Sequence, residues 1–294
     1  MEQIAIDIAG LKKSFGKNAV LKGVDLRVPS GAIVGLMGMN GSGKSTLIKC
    51  LLGLLDIDGG DARVFGCDAA HLPPGVKGRL GYVPQVVYLY AWMKVRHVIA
   101  YTSTFYENWD DAWADELVAR WRLPLAERVR NLSSGQLQTL AIVLALGHRP
   151  DLLVLDEPVA SLDPVARRDF LKSLLESAES GSRCVLFSTH IASDLERVAT
   201  HVAVLREGKI THFSELDELK DRVKRLRLRT YGTFPADFEV PGALRTKVEG
   251  NSALAAMADV TPQLLESLRD RWQAEVRVED LNLEEIFMEL NGHA

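Results

Sequence analysis

The chain is sparing with several features that would fix its class, and each shortage argues against something. It has three cysteines, Cys50, Cys67 and Cys184, with no CxxC pair and no Cys/His cluster. A disulfide framework and a zinc site are therefore not expected, and a reducing cytosol fits best. Its apolar runs are short: AIVLALG from Ala141 and DLLVLDE from Asp151 fall far below the ~20 residues that span a bilayer. The opening MEQIAIDIAG carries Glu2 and Asp7 where a secretory signal needs a basic start and an apolar run. The expectation is a cytoplasmic chain whose work at any membrane goes through a partner. Net charge is only −4 over 294 residues, so no nucleic-acid partner is expected. There is no internal repeat and no low-complexity tract. The length suits one large domain, alone or with a small appendage.

What is present falls into three patterns. Ile4, Ile6 and Ile8 alternate with other residues, as do Val24, Leu26 and Val28, which reads as half-buried strands of an antiparallel layer. AIVGLM (32–37), LLVLDE (152–157) and CVLFST (184–189) are nearly continuous apolar runs, as in strands buried on both faces of a parallel sheet. Helices are expected between them, over 44–55, 164–179 and 191–198. Strands alternating with helices predict an α/β core. From Gln85 to Pro150 the pattern is mainly helical (92–104, 110–122 and 136–147), which reads as an inserted helical subdomain, about 86–150. Beyond about Leu216 the composition shifts. A basic run, LKDRVKRLRLR, is followed by strand candidates at 226–230, 253–257 and 275–278, a helix at 262–272 and a last helix at 283–290. The expected division is 1–216 for the α/β domain and 217–294 for a small α+β appendage. The basic run itself, Lys220 to Arg229, reads either as a solvated face or as a contact with anionic lipid.

Two motifs carry chemistry. GMNGSGKST (38–46) matches GxxxxGK[ST] and follows a buried-strand pattern. Gly38, Gly41 and Gly43, with Asn40 and Ser42 between them, let the backbone curl so that its N–H groups face phosphate oxygens. A helix starting near Lys44 adds its positive end. Lys44 is expected to reach the β- and γ-phosphates and Ser45, beside Thr46, to ligate Mg²⁺. LLVLDEP places Asp156 at a strand's carboxyl end, positioned to hold Mg²⁺ through water. Glu157 follows, and a second acid there can polarise an attacking water; in isolation two acids can equally open a loop. His190, in STHI, ends a third such strand and reads as a γ-phosphate contact or as a structural histidine. Gln85, after a strand and Pro84, is a site residue or an ordinary loop residue. NLSSGQLQTLAIVLAL (131–146) reads as a helix capped by Ser133 or Ser134, whose exposed donors also suit a phosphate.

GMNGSGKST, Gln85, LSSGQ (132–136), LLVLDEP, SLD (161–163) and His190 stand in the order found in ATP-binding cassette (ABC) ATPases, which the first 215 or so residues resemble. The resemblance implies a RecA-like P-loop NTPase core with an antiparallel β layer and a helical subdomain. It implies ATP as ligand with Mg²⁺, and a head-to-tail dimer, of like or related ATPase subunits. In that dimer the signature, here Ser133, Ser134, Gly135 and Gln136, binds the γ-phosphate of ATP held by the other subunit. It further implies that Phe15 stacks on adenine, unless Phe15 is a strand-end core residue. Gln85 would sense Mg²⁺ and a transmembrane partner, Asp163 would cross the dimer interface, and Glu157 would be the catalytic carboxylate. Two departures stand out. Ser134 occupies the position of the first of two glycines in the usual LSGGQ, where its side chain crowds ATP or adds a donor. Val159 and Ala160 depart mildly from the usual EPTSGLD.

By the same resemblance the chain is expected to be the peripheral ATPase of a transporter, on the inner face of the cell membrane, bound to separate transmembrane permease subunits. Tyr88, Tyr90 and Trp92 then either meet a helix of that partner or fill the subdomain core. NLEEIFMEL (282–290) is similar to the ending of ATPases that serve exporter-type permeases, including antibiotic and antimicrobial-peptide resistance systems, which favours export. The rival is a soluble ABC ATPase of repair, cluster assembly or translation. Repair members carry a long coiled-coil insertion and translation members usually two cassettes; neither shows here. A regulatory module without turnover is disfavoured by Glu157 and His190.

Overall fold

The computed structural model describes residues 3–159, 162–178, 183–235 and 237–291. The amino-terminal alternation becomes a long hairpin, β1 (Ile4–Phe15) and β2 (Asn18–Pro29), antiparallel with Ile8 opposite Leu26 and Leu11 opposite Val24. Next along the chain come β3 (Ile33–Met37), α1 (Lys44–Leu51), β4 (Gly59–Val64), the short β5 (Cys67–Asp68), α2 (Pro74–Lys77) and β6 (Leu80–Val83). The hairpin joins β4 and β5 in a four-stranded sheet of order β2-β1-β4-β5. Its inward residues, among them Ile6, Ile8, Leu11 and Val24, share one core with Leu47, Ile48 and Leu51 of α1.

The chain continues through α3 (Val95–Ser103), α4 (Asp111–Arg120), α5 (Ser134–Leu146), β7 (Leu152–Asp156), α6 (Pro164–Ala178), β8 (Cys184–Thr189), α7 (Ala192–Val198), β9 (His201–Arg206) and β10 (Lys209–Glu215). The three apolar runs become β3, β7 and β8, every residue of which is buried. They sit in a six-stranded sheet of order β10-β9-β3-β8-β7-β6, with β6, β7, β8, β3 and β9 mutually parallel. This order positions the site. Met37 pairs with Thr189, and Asp156 with Ser188. The carboxyl ends of β3, β8 and β7 are therefore level and adjacent, and the residues that follow each strand emerge at one edge.

Several boundaries differ from the sequence expectation for identifiable reasons. α1 stops at Leu51 and not Leu55, because Gly53 takes a left-handed φ of 66°. Gly53 N–H then bonds to the Cys50 carbonyl and Leu54 N–H to that of Lys49, a Schellman closure that ends the helix. α3 begins at Val95, so Trp92 lies in the preceding turn. Tyr88, Tyr90 and Trp92 are 88%, 51% and 69% exposed, which excludes the reading that they fill a core. Tyr90 instead meets Trp92 and Tyr101, and Tyr101 meets Phe105, in a surface chain of rings with centroids 5.1–6.1 Å apart.

The chain divides into two compact units, Met1–His190 with Arg197–Phe213, and Ile191–Glu196 with Ser214–Ala294. In the second unit α8 (Leu216–Arg222) leads into β11 (Val223–Thr230), followed by β12 (Ala243–Glu249), β13 (Ser252–Ala258), α9 (Pro262–Trp272), β14 (Ala274–Asp280) and α10 (Leu283–Asn291). The strands form an antiparallel sheet of order β12-β13-β11-β14. Leu226, Leu228, Ala253, Ala255 and Val276 share a core with Leu268 of α9 and the Phe234–Phe238–Trp272 ring cluster.

The basic run is split between α8 and β11, and its charges are largely answered within the unit. Arg222 pairs with Asp259, Lys224 with Asp280, Arg225 with Glu285 and Glu289, and Arg227 with Glu279. β12 was not expected from the sequence. As an edge strand it is charged on one side, and only Thr246 and Val248 of its last four residues are half-buried, which blunts the apolar alternation. β4, β5, β9 and β10 were likewise not anticipated, whereas β6 is the strand expected before Pro84 and Gln85.

Candidate functional site

The loop after β3 is shaped at two of its glycines by contacts that leave no room for a side chain. A Cβ on Gly38 would lie 2.5 Å from Ser42 Oγ and 2.6 Å from the Leu205 carbonyl. Gly43, the residue before α1, has φ 106° and would press a Cβ against Leu21 and Val20 at 3.0–3.1 Å. Only glycine meets both demands. No side chain caps α1 and its first turn carries no acid, so its backbone donors remain available to an anion. Lys44 is 6% exposed, and its ammonium donates to the Gly38 carbonyl at 2.8 Å and the Met39 carbonyl at 3.3 Å. The loop encloses one side of a cleft of about 400 Å³. Asn40, Gly41, Gly43, Lys44, Ser45 and Thr46 line it, and Val20 of β2, Gln85, Glu157 and His190 complete it. Gly38 and Ser42 lie behind this lining. Ser42 Oγ is buried with no hydrogen-bond partner among the described residues.

The far side comes from the ends of β7 and β8. Glu157 leaves β7 with φ 49°, a left-handed conformation uncommon for a residue with a Cβ and costing on the order of 1 kcal/mol or more. That turn brings its buried carboxylate back into the cleft. Oε1 lies 3.4 Å from Lys44 Nζ, and Oε2 is 2.9 Å from Nδ1 of the half-exposed His190. Glu157 Oε1 accepts no hydrogen bond among the described residues. Glu157 N–H donates to Ser188 Oγ at 2.9 Å, and that hydroxyl donates to Asp156 Oδ1 at 2.7 Å. Ser188 thus fixes both acids. It was missed in the sequence, although the polar pair Ser188–Thr189 closing the apolar CVLFST run was the available signal. Val20 was also missed, and nothing local marks it.

Asp156 is 1% exposed. It lines an adjoining cleft of about 450 Å³ with Ser45, Gln85 and Tyr82. Burial, and after it the Asp156 charge, push the Tyr82 phenol up to about 12, so Tyr82 stays neutral at physiological pH. A hydroxyl, a carboxylate and an amide oxygen form a hard donor set that fits Mg²⁺. Among the described residues no three His, Cys, Asp or Glu side chains cluster as an all-protein metal site. The cysteines take no part: Cys50 and Cys184 are buried, with thiols pushed by burial to about 11 and about 12.

The remaining expected site residues lie outside both clefts. Phe15 ends β1 at 50% exposure, so it is not a core residue; Lys13 Nζ lies 5.7 Å from its ring centroid. Asp163 caps α6, its Oδ1 accepting from Val165 and Ala166 N–H at 2.9 and 3.0 Å. Ser161 and Ala160 fall outside the described residues. Ser133, not Ser134, is the cap of α5. Its hydroxyl accepts from Gln136 N–H at 3.2 Å while the Gln136 side-chain oxygen accepts from Ser133 N–H at 3.0 Å, a closed capping box. Ser134 is the first helical residue and Gly135 the second; the Gly135 carbonyl accepts from the Thr139 hydroxyl at 2.9 Å. One chain therefore gathers cradle, acids and His190, but Ser133, Ser134, Gly135 and Gln136 line neither cleft.

Comparison with known proteins identifies the family. The family profile described as ABC transporter matches residues 21–160. The ABC transporter ATP-binding protein YtrB of Bacillus subtilis (strain 168) is 30% identical over 223 residues, 76% of this chain and 76% of that protein. The Nod factor export ATP-binding protein I of Rhizobium sp. (strain N33) is 31% identical, covering 99% of this chain and 98% of its own length. Among solved structures, one described as the ATP-binding subunit of an ABC transporter superposes with a TM-score of 0.67 at 27% identity, over 74% of this chain and 92% of that one.

Proposed function

The chain belongs to the ABC transporter ATP-binding proteins, ATPases that power transport, and from that premise we propose how its residues do the work. Residues 1–216 form the nucleotide-binding domain and 217–294 an accessory domain. Lys44, with the uncapped start of α1, takes the β- and γ-phosphates of ATP, and Phe15 packs on the adenine. Glu157 accepts the proton of the attacking water, and His190, hydrogen-bonded to that carboxylate, holds it in register beside the γ-phosphate. Ser45, Gln85 and Asp156 hold Mg²⁺, which when bound neutralises phosphate charge. The single observation that carries the reading is the Glu157 carboxylate, buried between Lys44 Nζ at 3.4 Å and His190 Nδ1 at 2.9 Å. A carboxylate held beside a cation and an imidazole, on a phosphate cradle, is equipped for base-assisted hydrolysis.

The signature segment completes the site from a second ATPase subunit, a copy or a related chain. ATP bridges the two halves and hydrolysis removes the bridging charge. Asp163 faces the partner across that seam. Because relatives along the full chain include a Nod factor export protein, the transport is export. Among the described residues no helix is long and apolar enough to cross a membrane, which supports separate permease subunits as partners at the inner face. The exposed Tyr88, Tyr90 and Trp92 are the surface for a permease helix. The relatives favour this reading over a soluble ATPase of repair, cluster assembly or translation. Glu157→Gln is expected to retain ATP binding, to lower turnover by ~10²-fold or more, and to accumulate an ATP-bound dimer on size exclusion. Wild-type turnover in that variant would remove Glu157 from the catalytic role.

A further inference from the structure

The second unit holds a recess that the ATPase reading does not use. On one face of its sheet, strand register sets Arg245 of β12, Ala256 of β13 and Arg225 of β11 on one rung, and Lys247, Leu254 and Arg227 on the next. A methyl between two arginines leaves a hollow, and α10 walls one side of it with Glu289. The result is a cavity of about 230 Å³ with an apolar floor, Leu254 and Ala256. Its polar walls are unequally satisfied. Two tips of the Arg225 fork already bind α10, at 2.9 Å to Glu285 and 3.3 Å to Glu289 Oε1. Glu289 Oε2 is buried and accepts nothing among the described residues. Across from it Arg245 makes no hydrogen bond or ion pair among the described residues, and Lys247 has only a solvent-exposed pair with Glu249, which holds it weakly.

Among the described residues the cavity therefore offers a cationic wall in which Arg245 is unpaired and Lys247 is held only weakly and, opposite, the Glu289 carboxylate, one oxygen of which lacks a donor. Counting Glu249 and Glu285, the local charge balances, so an anion alone would leave Glu289 Oε2 unanswered, and a buried acceptor without a donor is costly. We propose that this recess binds a small zwitterion of the aminoalkyl phosphate class, its phosphate on Arg245 and Lys247 and its ammonium on Glu289. Arginine and lysine together suit a phosphate with several acceptor oxygens, and the ammonium supplies the donor that Glu289 lacks. The same chemistry exists as a free metabolite and as a phospholipid headgroup.

The test is titration of the full-length protein with O-phosphoethanolamine, alongside flotation on phosphatidylcholine vesicles with and without phosphatidylethanolamine. Arg245→Ala/Lys247→Ala and Glu289→Gln are each expected to weaken binding about tenfold or more, the scale of one charge-assisted hydrogen bond. Lys44→Ala, which disables the nucleotide cradle, and the charge-matched surface control Lys209→Ala/Arg269→Ala are expected to bind as wild type. Phosphocholine, which has no N–H donor, is expected to bind at least as poorly as the ligand does to Glu289→Gln. Binding of O-phosphoethanolamine without flotation assigns the free compound, and flotation that depends on both phosphatidylethanolamine and Arg245/Lys247 assigns the headgroup. Failure of both probes overturns the proposal. So does equal affinity for inorganic phosphate, or equal loss in the Lys209→Ala/Arg269→Ala control.

Discussion

Two helix starts in this molecule are built in opposite ways. α1 opens with Gly43, with no side chain capping it and no acid in its first turn. α5 opens with Ser133 and Gln136 locked in a reciprocal capping box. Both belong to segments assigned to phosphate, yet one keeps its backbone donors open and the other has already closed two of them on itself. The difference follows from what each segment does alone. The cradle is walled by Lys44, Glu157 and His190 of its own chain, so its open donors face a cleft shielded by protein. In the single chain Ser133, Ser134 and Gln136 are exposed, to be covered by a second subunit only on the proposed function, and an uncapped helix start there would be a standing loss of stability. The Ser133 hydroxyl accepts from Gln136 N–H but keeps its own proton, so it caps the helix and can still donate to a phosphate.

Substitutions at the two starts are expected to separate these roles. The largest effect belongs to Lys44→Ala. Loss of the buried ammonium is expected to weaken ATP binding at least ~10-fold and to abolish most turnover, as read by nucleotide titration and phosphate release. Ordinary kinetics in that variant would remove the Lys44 ammonium from the mechanism. Ser133→Ala comes next. It is expected to cost about 1 kcal/mol of stability, a fall of roughly 2–4 °C in melting temperature, and also to weaken ATP-dependent dimerisation in the Glu157→Gln background. A stability loss with dimerisation unchanged would make Ser133 a cap and nothing more. Ser134→Gly is the smallest, with a stability cost below about 1 kcal/mol and ATPase activity preserved or raised. A large loss of activity there would show that the Ser134 hydroxyl contributes a contact.

The sequence made legible whatever was contiguous. GMNGSGKST carries its own strand, turn and helix signals within a dozen residues, and LLVLDEP and CVLFST mark the strand ends that carry Glu157 and His190. Ser133 could be narrowed to one of two caps, because a capping box spans only four residues. What stayed hidden depends on distant partners. Ser188 organises both acids only because Asp156 pairs with it across two strands. The basic run looked like a bare charged surface, because Glu279, Glu285 and Glu289 lie more than fifty residues further on. β12 was missed since an edge strand buries too little to print an alternation. Exposure of the Tyr88–Trp92 aromatics could not be separated from burial until α3 was seen to begin beyond them.

The lysine of the cradle has one more implication. Its ammonium is already parked on two backbone carbonyls and faces a carboxylate, so on the proposed function an arriving triphosphate would not rescue a stranded cation but exchange one ring of oxygens for another. Affinity is then a difference between two satisfied arrangements. A difference of that kind is readily reversed once the outermost phosphate has gone, and a machine that has to let go of its spent fuel on every stroke is well served by a grip that has somewhere else to rest.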